Sequence, residues 1–180
     1  RLALGQGAKK AGHRVTVLAP PSPLFEQIQE LGFETYPIEL SRKGMNPFSE
    51  LMLIGKFIKA FQALRADVYH GFTIKPVIYG GIAAWICRTP CRVATITGLG
   101  YVFIQKGVKA WLLQTIVGAL YRLSLTGYHK VTFQNQTDLE MFVYKGWVIT
   151  GKTEIVLGTG VDVQRFKSTP EPSGDVRILF

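Results

Sequence analysis

Short apolar runs rich in β-branched residues alternate with amphipathic stretches along this whole chain, and that alternation restricts its fold more than anything else. Strands are predicted at 14–19, 33–36, 67–70, 92–96, 130–134 and 154–157. Between them the periodicity predicts a helix ending near Gly12, then helices over 23–31, 46–66, 76–87, 107–126 and 137–146. Asn46-Pro47 has the form of an N-cap followed by proline at the first helical position. Consecutive strands joined through helices need crossover connections. The expected fold is therefore α/β, with a doubly wound, mainly parallel, Rossmann-like sheet covered on both faces.

The chain has 180 residues, room for one well-packed domain of this kind. Two features predict that more chain flanks it. The first element is a helix, where a doubly wound domain usually opens on a strand. At the other end, 167–175 has linker composition and 176–180 begins a new strand. The expected division is a domain at 1–166, a linker at 167–175 and the opening of a second domain at 176–180.

Lys and Arg number 21 against 12 Asp and Glu, a formal charge of +9. The excess suggests an anionic partner. It is dispersed, with Lys9-Lys10 and Arg42-Lys43 the longest basic clusters. Dispersion fits a membrane surface or diphosphates better than a duplex, so no nucleic-acid partner is expected. Cys87 and Cys91 form one C-x3-C pair with no further ligand nearby, and read as reduced, packed thiols; no metal is expected. Lys109, Gln114 and Arg122 interrupt the most apolar stretch and argue against a spanning helix.

In an open α/β sheet, ligands bind beyond the carboxyl ends of the strands, so all strand-to-helix loops share one functional edge. Four such loops are 70–75, 97–100, 134–137 and 158–162. Their candidates for facing a sugar or phosphate are His70, Thr73, Lys75, Thr97, Gly98, Gly100 and Asn135. Gly158, Gly160 and Asp162 are candidates for the floor of an interdomain cleft. Each has a plainer alternative. His70 is equally a hydrogen-bonded structural histidine, Lys75 a solvated lysine, and Thr97-Gly98-Leu99-Gly100 a tight turn. Gly5-x-Gly7 follows no strand and is not a dinucleotide fingerprint. His13 and His129 lie at strand starts, the wrong edge for ligands.

Residues 70–80 (HGFTIKPVIYG) and 95–103 (TITGLGYVF), with 11–20 (AGHRVTVLAP) and 158–166 (GTGVDVQRF), stand in this order along the chain. Together they resemble the amino-terminal domain of retaining glycosyltransferase family four, the kind that builds undecaprenyl-linked bacterial polysaccharide and glycan precursors. The resemblance implies one half of a GT-B fold, truncated at both ends. It implies a hexosyl- or N-acetylhexosaminyltransferase that moves a sugar from a nucleotide diphosphate sugar to a lipid-diphosphate-linked saccharide. It implies no cofactor: the nucleotide sugar is a co-substrate held mainly by a second domain, so this half alone is expected to be inactive. Many relatives carry a His where this chain reads Thr97-Gly98, so no catalytic side chain transfers to that position. The alternative from another class is a non-catalytic module that binds a glycan or lipid carrier.

The helix at 107–126 bears on location. Leu112, Leu113, Ile116, Val117, Leu120 and Leu123 read as its sheet-facing side. Trp111, Tyr121 and Leu125, with Arg122 and the preceding Lys106, read as an outward face suited to anionic lipid, or to a second domain or a partner copy. The expected location is cytoplasmic, peripheral on the inner face of the membrane.

Overall fold

A computed structural model describes residues 1–40, 47–103, 107–158, 160–164, 166–170 and 174. The polar loop at 41–46, Lys106 and the strand expected at 176–180 lie outside the described residues, as does part of the linker. Among the described residues, six α-helices and six strands follow in chain order: α1 Leu2–Lys10, β1 Thr16–Ala19, α2 Leu24–Glu30, β2 Glu34–Pro37, α3 Pro47–Leu64, β3 Val68–Phe72, α4 Gly81–Ile86, β4 Cys91–Ile96, α5 Val108–Thr126, β5 Lys130–Phe133, α6 Gln136–Tyr144 and β6 Thr153–Ile155. Every strand pairing is parallel, as the crossover argument requires.

The strands form two sheets, not one. β1 pairs with β2 in a two-stranded sheet, and β3-β4-β5-β6 make a four-stranded sheet. No backbone ladder joins the two sheets among the described residues, so each has an open edge.

The core lies on one face of the larger sheet. Tyr69, Ala94, Ile96, Val131 and Phe133 point there and meet Phe57 and Phe61 of α3, Ala83 and Ala84 of α4, Tyr121 and Leu125 of α5, and Phe142 of α6. Edge-to-face aromatic contacts tie the layers, with Tyr121–Phe142 at 5.0 Å and Phe133–Phe142 at 5.2 Å.

The helix expected at 76–87 opens as a π-helical turn, Pro76–Gly80, before settling into α4. Side-chain hydroxyls bond two of its carbonyls. Tyr69 Oη donates to the Pro76 carbonyl at 2.9 Å; Ser124 Oγ and Tyr128 Oη both donate to the Val77 carbonyl, at 2.7 and 2.9 Å. Gly80 and Gly81 permit this approach, since a Cβ at either would collide with Tyr69 or with Ser124 and Tyr128. Gly5 is explained in the same way: the Phe33 ring lies 2.9 Å from where its Cβ would be.

The two faces of α5 match only in part those read from the sequence: Val117 is buried, Leu113 and Leu120 pack against the core, and Trp111 and Arg122 face outward, as expected. Tyr121 and Leu125 are each 1% exposed, whereas Leu112, Ile116 and Leu123 face outward. The buried side is marked by small residues, Ala110, Gly118 and Ser124. At Gly118 the missing side chain leaves room for the Trp147 ring. Counting large apolar residues placed the buried stripe only in part, because close packing is signalled here by small ones as well.

Candidate functional site

Because all four strands of the larger sheet are parallel, their carboxyl ends share one rim. At about 4.8 Å between strands, the rim is about 15 Å long from β3 to β6. Along it come Thr73 and Lys75 after β3, Thr97 to Gly100 after β4, and Gln134 and Asn135 after β5; Gly158, Gly160 and Asp162 lie farther along the chain, past the end of β6. The first two loops touch: a Cβ on Gly100 would lie 2.7 Å from Ile74 Cδ1, and Gly100 has φ +71°. Thr73 has φ +67°, a conformation that is strained for a β-branched residue.

His70 does not stand at this rim. β3 runs two residues beyond the strand expected at 67–70, so His70 is its middle residue. Its ring stacks on Phe72 at 4.1 Å, and Nε2 lies 2.7 Å from Thr95 Oγ1. Thr95 Oγ1 is in turn 2.7 Å from Thr132 Oγ1, which donates to the Ala94 carbonyl at 3.3 Å. The polarity that satisfies all three has His70 donating to Thr95 and Thr95 donating to Thr132. These side chains cross β3, β4 and β5 on the face opposite α3 to α6. Burial holds the His70 pKa down at about 4, and the positive charge of Arg1 adds to the effect. This histidine is neutral at neutral pH and sits in a hydrogen-bonded row.

Asn135 caps α6. Its Oδ1 accepts from the Asp138 amide at 2.7 Å and its Nδ2 donates to Asp138 Oδ2 at 2.9 Å. Asp162 shapes its own turn: its Oδ1 accepts from the Gln164 amide at 3.0 Å, and its carbonyl from the Phe166 amide at 2.9 Å. Thr97 and Gly98 are half-buried and Gly100 is exposed. Cys87 and Cys91 are free thiols, both half-buried, and burial pushes the Cys87 thiol up.

Lys75 is not solvated. Its Nζ lies 2.6 Å from Glu50 Oε1, in an ion pair whose side chains are only 20% and 11% exposed. Beside it, Lys56 Nζ donates to Glu39 Oε2, also at 2.6 Å. A cavity of about 170 Å³ opens between the two pairs, lined by Glu39, Ser49, Glu50, Leu53, Lys56 and Lys75. Glu39 follows β2, Lys75 follows β3, and Glu50 is in the first turn of α3. One wall of the cavity is therefore α3, with Ser49, Glu50, Leu53 and Lys56, and the rest comes from the segments after β2 and β3. Glu39 and Glu50 were not singled out from the sequence. Glu50 and Lys75 are far apart along the chain, and an acidic residue in a first helical turn reads as a dipole partner.

Of the residues expected on the lipid-facing helix, Trp111 is 65% exposed and Arg122 is also outward. Tyr121 and Leu125 are core, which corrects that expectation. The exposed apolar stripe of α5 is Val108, Trp111, Leu112, Ile116 and Leu123. Among the described residues no helix is long and apolar enough to cross a membrane.

Residues 2–135 match the family model described as glycosyl transferase 4-like. A curated relative from Campylobacter jejuni is 26% identical over 166 residues, covering 92% of this chain and 44% of the relative. Its name is N,N'-diacetylbacillosaminyl-diphospho-undecaprenol alpha-1,3-N-acetylgalactosaminyltransferase. Among solved structures, MurG of Acinetobacter baumannii aligns with TM-score 0.57 and 16% identity, over 89% of this chain and 41% of MurG. A glycosyltransferase from Rickettsia africae aligns with TM-score 0.62 and 15% identity, over 94% of this chain and 42% of that one. The chain thus spans less than half the length of each. At these identities the two structures speak for the fold, one Rossmann-like half of a GT-B architecture. With the family model covering most of its length, the chain belongs to the glycosyl transferase 4-like family.

Proposed function

We propose that this chain is the acceptor-side half of a retaining GT-B glycosyltransferase, one that moves a hexose or N-acetylhexosamine from a nucleotide diphosphate sugar to a lipid-diphosphate-linked saccharide. The observation that carries this reading is the family match over 2–135, which takes in β3, β4, β5 and most of the rim. The name of the Campylobacter relative, which gives an undecaprenyl-diphosphate-linked acceptor and an N-acetylgalactosaminyl group transferred, supports the substrate class. In a cleft of this kind, catalysis is positioning plus stabilisation of the leaving diphosphate. In this reading the rim supplies the positioning half: Gly100 is exposed there beside the half-buried Thr97 to Leu99, and α5 and α6 both begin at this edge with their amide dipoles toward it.

The open sheet edges support a further element of the reading. Arg1 stacks over Phe72 at 4.5 Å, which puts the start of α1 at the carboxyl end of β3. A parallel strand ahead of α1 would end at the same rim and fit between the two sheets. The split sheet is thus the form expected of a domain whose first strand lies upstream of Arg1.

The membrane surface enters on the same terms. α3 and α5 flank α4 in the helical layer, and both begin at the rim. Phe48, Leu51 and Met52 on the first and Val108, Trp111 and Leu112 on the second expose apolar side chains at those rim-side ends. Lys109 and Arg122 lie beside the α5 stripe. Such a surface suits a peripheral enzyme drawing a lipid-linked acceptor from the inner face of the cytoplasmic membrane.

The test is a donor screen on the full-length protein with a short-chain lipid-diphosphate saccharide, followed by linkage analysis of the product. Transfer with retention from one nucleotide sugar is expected, and none from the 180-residue chain by itself. Turnover by the isolated chain, or inversion by the full protein, would overturn the reading.

A further inference from the structure

Four buried polar side chains, Glu50, Tyr69, Ser124 and Tyr128, close on the short segment 73–80. Three of them hold the carbonyls of Pro76 and Val77 in the π-helical turn. The fourth, Glu50 in the first turn of α3, takes two donors from the segment. Lys75 Nζ lies 2.6 Å from its Oε1, and the Tyr79 hydroxyl hydrogen-bonds the same carboxylate. Burial first, and then the charge of Glu50, push the Tyr79 pKa up to about 12, so this hydroxyl stays protonated and donates. Lys75 stands just before the turn and Tyr79 within it, so one carboxylate grips the turn at two points.

Stability alone does not explain the ion pair. Taking two charges out of water costs about what their attraction returns, and apolar residues of similar volume often serve as well or better. A pair of fixed geometry does set where Lys75 stands relative to α3. The backbone just ahead of it is strained: Thr73 has φ +67°, and such a conformation persists only where neighbouring contacts over-determine it. The Thr73 carbonyl accepts from the Val77 amide at 3.0 Å, which ties the strained residue to the clamped turn. Thr73 itself is exposed, directly beyond the carboxyl end of β3. Ile74 Cδ1 lies 2.7 Å from where a Cβ on Gly100 would be, so the loop also rests on 97–100.

We propose that Glu50, Lys75 and Tyr79 form a positioning set that locks the rim loop 73–75 in its strained form and presents Thr73, preformed, to the acceptor saccharide. Thr73 is the contact residue, its hydroxyl exchanging a hydrogen bond with a sugar hydroxyl. Lys75 acts through the loop and does not touch the substrate. A contact already in place loses less freedom when the substrate arrives. The inference rests on the acceptor-side reading.

The experiment uses the full-length enzyme with Glu50→Leu/Lys75→Met, which removes both charges together. Beside it stand Thr73→Gly, which relieves the backbone and deletes the hydroxyl, and Thr73→Ser, which keeps the hydroxyl. For the double variant and Thr73→Gly, kcat/KM for the acceptor is expected to fall about 10- to 100-fold, the scale of misplacing a positioning group by about 1 Å. The nucleotide-sugar KM and the melting temperature stay close to the wild type, as do the kinetics of Thr73→Ser. A role in stability alone predicts the reverse, lower melting with unaltered kinetics. In parallel, NMR of labelled threonine methyls reads the loop without turnover. The Thr73 signal should shift or broaden in the double variant, while those of Thr95 and Thr132 stay. A Thr73 signal that does not respond, full activity in Thr73→Gly, an equal loss in Thr73→Ser, or an effect confined to the donor would overturn the proposal. A full-length protein that transfers no sugar, with the Thr73 signal still dependent on Glu50 and Lys75, would refute the glycosyltransferase reading and leave the positioning set in place.

Discussion

Gly81→Ala and Gly55→Ala make the same chemical change in two helices, and the structure gives them opposite signs. A Cβ on Gly81 would lie 2.5 Å from Ser124 Oγ and 2.6 Å from Tyr128 Oη, with the Tyr128 ring also in its way. Carbon contacts are normally about 3.5–4.0 Å, so these groups must retreat by roughly 1 Å. Overpacking of that kind costs about 1–3 kcal/mol. Both hydroxyls hold the Val77 carbonyl, and losing two such bonds adds about 1 kcal/mol each. Alanine returns about 1 kcal/mol of helix propensity. The net is a loss of about 2–4 kcal/mol, a fall in melting temperature of roughly 4–16 °C for a chain of this size. At Gly55, on the exposed side of α3, no atom lies within 4 Å of the new Cβ. Only the propensity gain remains there, and melting should rise by about 2–4 °C. Paired thermal melts followed by circular dichroism measure both. A Gly81→Ala protein as stable as the wild type would refute the view that the π-helical turn is clamped by these hydroxyls.

His70 has a folded pKa depressed to about 4 from 6.5, so the unfolded chain binds the extra proton more readily. Stability should be full above about pH 6.5 and fall as pH drops toward 4; urea titrations across that window should show the slope, and His70→Gln should flatten it. Asn135→Ala removes the cap of α6 and should cost about 1 kcal/mol, and Asn135→Asp, which keeps the acceptor for the Asp138 amide but sets a second carboxylate against Asp138 Oδ2, should not restore the loss in the same melts. Leu125→Ala should cost about 2–5 kcal/mol, and Leu112→Ala at the exposed face within about 0.5 kcal/mol, which tests the corrected orientation of α5. Trp111→Glu with Leu112→Glu should abolish co-sedimentation with vesicles containing anionic lipid and leave the melting temperature unchanged.

The elements themselves were readable because apolar periodicity and caps are local signals. Asn46-Pro47 and the runs around β3 to β6 carry them plainly. Two things were not local. The burial of Tyr121 depends on Trp147 filling the gap at Gly118, a contact between α5 and the turn that follows α6. The Glu50–Lys75 pair depends on the first turn of α3 lying beside the loop after β3, which no spacing rule encodes. At the rim, position was legible and role was not. Asn135 directly follows β5 on the expected edge, yet its side chain bonds its own turn, and so does that of Asp162, well past the end of β6. His70 was misplaced because Gly71-Phe72 reads as loop and is strand.

The division into two sheets has a consequence for how the chain behaves in solution. β6 is a poor template for association, being three residues long with Glu154 paired to Lys130 on its surface. β3 is longer, carries an exposed Val68, and offers its outer backbone amides and carbonyls to any extended segment that arrives. Expressed without a strand to occupy that seam, the chain should self-associate through β3 and grow stickier with concentration. A synthetic peptide that pairs with this strand would restore a monomer.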